Sequence, residues 1–177
     1  MQKEIMFAGF GGQGILSAAK ILAMAAMKEG FEVAWIPSYG PEMRGGTAYC
    51  TVMISDKPIG SPIVQCPKYL VAMNLPSYEK FAPCVQKGGL IIANSTLIPM
   101  QVAPENVEMT EVDTVAVATE AGSARSANIA ALAAFVAKSG IISEDSLKQS
   151  LEEQFAKKPE LIPINIGVME ASIKAVQ

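Results

Sequence analysis

Two short stretches of this 177-residue sequence carry residue types and spacings that could hold a charged small molecule. The first is Gly9-Phe10-Gly11-Gly12-Gln13-Gly14, a G-x-G-x-x-G register set directly after the apolar Ile5-Met6-Phe7-Ala8 and before an apolar run over residues 15–27. It reads as strand, glycine turn, helix. A helix beginning near Ile15 aims its free N–H groups and the positive end of its dipole at whatever lies over the turn, which suits phosphate or carboxylate oxygens. The same glycines serve equally well for close packing of the helix on the strand. The second stretch is Pro37-Ser38-Tyr39-Gly40-Pro41-Glu42-Met43-Arg44-Gly45-Gly46, with two prolines and three glycines in ten residues. No regular element forms from it, so it is a shaped loop. Arg44 beside glycines can fork onto a carboxylate or phosphate; it can also pair with Glu42 or meet another subunit. Tyr39 offers either a stacking face or a packed ring.

Other chemistries are excluded by what is missing. The chain has no histidine, which removes the commonest general base and any Ser-His-Asp or Cys-His device. Its three cysteines, Cys50, Cys66 and Cys84, are odd in number and show no C-x-x-C spacing, so zinc, iron–sulfur and disulfide frameworks lack support and buried thiols are expected. A dinucleotide site requires an acid at the end of the second strand, about 20 residues beyond the glycines. That strand reads Val33-Ala34-Trp35-Ile36-Pro37 and runs into Ser38, so the acid is lacking. The formal charge of −3 gives no field to hold nucleic acid. Mean hydropathy is +0.30 with 18% charged residues, which points to apolar surface covered by partners. The start Met-Gln-Lys-Glu carries no signal pattern and no run is long enough for a bilayer, so a reduced, cytoplasmic protein is expected.

These segments must be positioned by a core of Ala, Val, Ile, Leu and Met, since only 6% of residues are aromatic. Such smooth interiors suit helices on a parallel sheet, and the length suits one domain over residues 1–177. The pattern predicts a helix from Ile15 to about Gly30, strands over 32–37, 47–55, 69–74 and 88–95, and a last strand over 107–112. Residues 59–65 are expected as a short edge strand, and residues 76–85 as a helix with Ser77 as its cap. Asn74 and Asn94-Ser95 fall at strand ends, where ligands bind in open α/β sheets, or where an amide caps the next turn. Residues 113–121 read as a short helix, 129–137 as a helix buried all round, 143–156 and 165–176 as two amphipathic helices.

The glycine turn together with the segment 37–46 closely resembles the gamma subunit, or gamma domain, of 2-oxoacid:ferredoxin (acceptor) oxidoreductases, which act on pyruvate, 2-oxoglutarate and branched-chain 2-oxoacids. Val71-Ala72-Met73-Asn74, the strand led by Gly88-Gly89, and Asn128 opening the Ala-rich helix fit too, so the resemblance spans nearly the whole chain. It implies an α/β, three-layer Rossmann-like domain with a mainly parallel sheet. It implies a subunit of a complex that decarboxylates a 2-oxoacid on thiamine diphosphate, passes electrons through iron–sulfur clusters to ferredoxin, and acylates coenzyme A, with 2-oxoglutarate placed first among the substrates. Alpha and beta subunits, and in some complexes a ferredoxin-like delta chain, would be the partners and would own the thiamine diphosphate and the clusters. The gamma domain would serve assembly and cover the coenzyme A site. On that reading Gly11, Gly12, Gln13 and Gly14, with Tyr39, Glu42, Arg44, Gly45 and Gly46, face the cofactor and no residue is catalytic. A stand-alone Rossmann-type nucleotide-binding protein is the alternative.

Overall fold

A computed structural model describes residues 2–38 and 47–177. The first strand, β1 (Gln2–Phe10), is apolar and buried from Ile5 to Ala8, and the chain turns through the glycines into α1 (Ile15–Lys28). There follow β2 (Glu32–Pro37), β3 (Thr47–Ser55), β4 (Tyr69–Ala72), α2 (Leu75–Phe81), β5 (Leu90–Asn94), β6 (Glu108–Val112) and α3 (Thr114–Glu120). The last third is helical: α4 (Ala127–Ser139), α5 (Glu144–Gln154) and α6 (Ile162–Val176). The six strands form one sheet in the order β2-β3-β1-β4-β5-β6. Pairings β1–β4, β4–β5 and β5–β6 are parallel, whereas β3 runs antiparallel to both its neighbours, β1 and β2.

Alternate residues of each strand enter two different cores, as a pleated sheet buried on both faces requires. Ile5 and Phe7, Tyr69 and Val71, Leu90 and Ile92 join the larger core, built with α1, α4, α5 and α6. Met6 and Ala8, Leu70 and Ala72, Ile91 and Ala93 join the smaller one, closed by Tyr78, Phe81 and Ala82 from α2 and the turn after it. The three layers are therefore unequal. The larger side is packed by small residues: every residue of α4 from Ile129 to Val136 is buried, four of them alanine. Phe135 fills the space the alanines leave, meeting Phe7 and Tyr69 edge to face at ring separations of 6.3 and 5.6 Å. The expected all-round burial of this helix is what the structure has, because α6 covers its outer face and Ser172 Oγ donates to Ala130 O at 2.6 Å.

Two expectations need correction. Residues 59–65 form no strand. Both edges of β3 are already paired, and Pro58, Pro62 and Pro67 remove ladder donors, so this segment instead crosses the sheet face beside Ile36, Tyr49 and Thr51. Ser77 does not cap α2; Asn74 does, its Oδ1 accepting from Ser77 N at 2.9 Å, and the helix ends at Phe81 before a 3₁₀ turn, Ala82–Cys84. No helix among the described residues is long and apolar enough to cross a membrane.

Phe135 is fully buried between strand and helix, so Phe135→Ala should cost about 4 kcal/mol. Urea unfolding followed by far-UV circular dichroism would read this as a lower midpoint at unchanged slope.

Candidate functional site

The strands β1, β4, β5 and β6 all end on one rim of the sheet, and the segments that leave them carry the polar side chains singled out above. The register brings β3 in from the same rim, since Thr47 lies opposite Phe10. The glycine turn and the connection between β2 and β3 thus share this rim at their described ends. Tyr39, Glu42, Arg44, Gly45 and Gly46 themselves lie outside the described residues.

Gln13 holds the rim together. Its Oε1 accepts from Phe10 N at 2.6 Å and from Asn74 Nδ2 at 2.9 Å, while its Nε2 donates to Met73 O at 3.2 Å. Met73 O also accepts from Asn94 Nδ2 at 3.1 Å, and Asn94 Oδ1 accepts from Thr96 N at 3.2 Å. One amide chain therefore links the ends of β1, β4 and β5. The two asparagines are almost wholly buried, so each needs these partners. Gly9 is required here, because a Cβ on it would stand 2.7 Å from Gln13 Oε1 and 3.0 Å from Met73 Cβ. Along the same rim Thr96 Oγ1 donates to Asp113 Oδ1, which also accepts from Ala116 N at 3.0 Å and caps α3. The Thr96 hydroxyl first, and the helix N–H second, hold the Asp113 carboxyl below the usual carboxylate range.

Gly14 is the N-cap of α1, with φ of 73°, a left-handed conformation that glycine adopts without strain. Its Cβ would collide with Asn128, whose Nδ2 donates to Gly14 O at 3.0 Å. No side chain caps α1 and no acid stands in its first turn, while Ala18 N is the first to reach back to Gly14 O. The N–H groups of Ile15, Leu16 and Ser17 are left to solvent or ligand. Clefts open on both flanks of this turn. One, about 300 Å³, lies against Phe10, Ile15 and Ala48 and is apolar. The other, about 290 Å³, runs between the N-termini of α1 and α4 and is lined by Ser17, Ser123, Arg125, Ser126 and Asn165. Two helix N-termini and an exposed guanidinium make it electropositive. Asn165, nearly buried, donates through Nδ2 to Leu161 O at 2.8 Å, but its Oδ1 has no partner among the described residues.

Of the residues expected to face a ligand, Gly11 and Gly12 are exposed at the turn and Gly14 is half-buried, whereas Gln13 is occupied in the network and presents no free amide oxygen. Sequence reasoning passed over Arg125 and Asn165. Ser123-x-Arg125-Ser126 just ahead of an uncapped helix was a readable signal for the first; nothing local marks the second, which reaches the cleft only because α6 packs on α4.

Gln13→Ala should lower stability by about 2 kcal/mol, since it strips Phe10 N and Asn74 Nδ2 of their shared acceptor. Thermal melts at neutral pH would show it. Asp113→Ala should cost about 1 kcal/mol at pH 7 through loss of the cap. Because the folded carboxyl binds its proton less readily than the unfolded one, this contribution is present above about pH 4 and is lost as pH falls through the lowered folded value. The gap in Tm between wild type and variant should therefore close in acid.

Comparison with known proteins agrees with this architecture. Residues 4–175 match the family described as pyruvate ferredoxin/flavodoxin oxidoreductase. The ketoisovalerate oxidoreductase subunit VorA of Methanothermobacter marburgensis is 40% identical over 170 residues, 95% of this chain, yet the chain spans only 35% of that relative's length. The 2-oxoglutarate synthase subunit KorC of Methanocaldococcus jannaschii is 35% identical over 163 residues, covering 90% of this chain and 87% of the relative. Among solved structures, the gamma subunit of a keto/oxoacid ferredoxin oxidoreductase from Geobacter sulfurreducens superposes with a TM-score of 0.84 at 29% identity, over 98% of both chains. The 2-oxoglutarate:ferredoxin oxidoreductase of Magnetococcus marinus, solved with 2-oxoglutarate, coenzyme A and succinyl-CoA, gives a TM-score of 0.86 at 27% identity over 99% of this chain and 32% of that one. The sheet order, the glycine turn and these matches together make the chain a member of the pyruvate ferredoxin/flavodoxin oxidoreductase family, carrying its gamma-type domain.

Proposed function

We propose that this chain is the non-catalytic gamma component of a coenzyme A-acylating 2-oxoacid:ferredoxin oxidoreductase, and that its glycine-turn rim covers the coenzyme A site of the assembled enzyme. The observation that carries the reading is the uncapped N-terminus of α1, open beside Arg125 and the start of α4. Phosphate oxygens of coenzyme A would meet the N–H groups of Ile15, Leu16 and Ser17 there. Gly11, Gly12 and Gly14 give backbone access, and Arg44, with Tyr39, Glu42, Gly45 and Gly46, would close the rim from the β2–β3 side.

Among the described residues no three His, Cys, Asp or Glu side chains converge, so we assign the iron–sulfur clusters, thiamine diphosphate and its metal to alpha, beta and delta-type partners. Coenzyme A supplies the thiol that takes the acyl group. This chain's part is to bind and orient the phosphates and to exclude water from the junction with its partners. The 2-oxoacid pocket then lies in those partners. That fits relatives of this one domain being named for ketoisovalerate and for 2-oxoglutarate. We keep 2-oxoglutarate as the first substrate to assay, in a cytoplasmic enzyme with ferredoxin as acceptor.

A self-contained dinucleotide-binding protein is disfavoured by topology. In such proteins the second strand lies beside the first and its end holds the ribose. Here β3 is inserted between β1 and β2, which moves that end to roughly 10 Å from β1, and it carries no acid.

Reconstitution with alpha and beta partners tests the reading. Ferredoxin reduction should require this chain, and Arg44→Ala and Arg125→Ala should each raise KM for coenzyme A about tenfold, the loss of one charge-assisted contact, with assembly intact. Unchanged KM in both variants would remove the rim from the coenzyme A site. Tight binding of NAD or FAD by the chain alone, measured by calorimetry, would favour the alternative.

A further inference from the structure

The opposite rim of the sheet, where β4 and β5 begin, holds a feature that plays no part in the coenzyme A reading. Cys66 lies just ahead of β4 and Cys84 closes the 3₁₀ turn after α2, and Cys84 Sγ lies 3.5 Å from Gln65 O, the carbonyl of the peptide bond that leads into Cys66. Nothing in their spacing along the chain announces the pair. The strand β4 and helix α2 lead out and back, so the two ends of this excursion return to one place. The surrounding backbone is pinned on both sides. Gln86 Nε2 donates to Cys66 O at 2.7 Å, Gln86 N donates to Pro67 O at 3.1 Å, and Leu90 N donates to Lys68 O at 3.3 Å. Against the expectation of buried thiols, which only Cys50 meets, Cys66 is exposed and Cys84 partly so, because both lie in turns at this rim of the sheet, and this leaves the pair open to a soluble oxidant. Cys50, in contrast, is buried in the larger core, where desolvation pushes its thiol up to about 12.

We propose that Cys66 and Cys84 form a reversible disulfide that fastens the segment 56–68 to the connection between α2 and β5. The oxidant is a low-molecular-weight disulfide of the glutathione type. The Cys66 thiolate attacks one sulfur of that disulfide and expels the first small thiol, leaving a mixed disulfide on Cys66. The Cys84 sulfur then gives up its proton, attacks the Cys66 sulfur and expels the second small thiol. Two protein thiols are oxidised by two electrons, and one small disulfide is reduced to two thiols. The order follows from the surroundings: Cys84 is the less exposed, and burial first, with the neighbouring Cys66 thiol second, pushes its own thiol up to about 11. It therefore resolves rather than initiates. The bond would tether the proline-rich segment that crosses the sheet face beside Ile36, Tyr49 and Thr51.

Oxidation of the full chain with oxidised glutathione, followed by denaturation and thiol titration, should lower the count from three free thiols to one, and dithiothreitol should restore three. Peptide mapping without reductant should find residues 66 and 84 joined. Cys50→Ser should keep the cross-link, whereas Cys66→Ser and Cys84→Ser should each lose it while retaining a native circular dichroism spectrum. Three remaining thiols, glutathione adducts on Cys66 or Cys84 without a cross-link, or a cross-link that includes Cys50 would each overturn the proposal. None of these readouts depends on coenzyme A binding, so failure here is separable from failure of the proposed function.

Discussion

The structure depends on one side-chain amide, that of Gln13, being satisfied inside the turn it belongs to. A strand that runs into a helix through glycines has little to hold its shape, because glycine gains no packing and loses the most backbone freedom on folding. Here Gln13 bonds back to Phe10 N and across to Met73 O and Asn74, so the turn is braced by the ends of two strands rather than by its own backbone. Leaving the buried Asn74 amide unpaired would cost more than the bond itself contributes. The bracing also explains why the polar residue of the glycine motif faces inward. It is spent on holding the rim, and this leaves backbone N–H groups and Arg125 on the open side of the turn.

Insertion of β3 gives the fold its particular character. A β-α-β unit with both strands adjacent would present a dinucleotide crevice, but an antiparallel strand between them separates the two strand ends and brings a second connection onto the same rim. The rim becomes broader and flatter, with an apolar cleft on one flank of the glycine turn and an electropositive one on the other. The opposite rim is built differently. There the chain crosses itself closely, with Cys66 and Cys84 at the crossing.

Much of the architecture was legible because it follows from local rules. Continuous apolar runs marked β1, β4 and β5, alternation marked β3, the uniformly apolar stretch at Ile129 marked the buried helix, and acids behind Ser143 marked the start of α5. Misreadings arose where a choice between partners decided the outcome. Residues 59–65 have enough β-branched character to pair, but β3 is already paired on both sides and Pro58, Pro62 and Pro67 interrupt the run. Ser77 is as good a cap by type as Asn74, yet only Asn74 stood at the strand end with its oxygen toward the first turn. Part of the candidate site, Tyr39 through Gly46, was read from composition and from resemblance alone.

By itself the sequence determined the order and type of the elements, the lack of histidine chemistry, the glycine turn opening onto a helix N-terminus, and, through two motifs at a fixed separation, the family. These are properties of residues close along the chain, where torsional preference and periodicity suffice. Tertiary structure alone decided that β3 lies between β1 and β2, that Gln13 turns inward, that Arg125 and Asn165 join the glycine turn in one cleft, and that the chain at Cys66 meets the chain at Cys84. Each of these is a contact between residues far apart in sequence, set by competition for strand edges, hydrogen-bond partners and buried volume across the whole molecule.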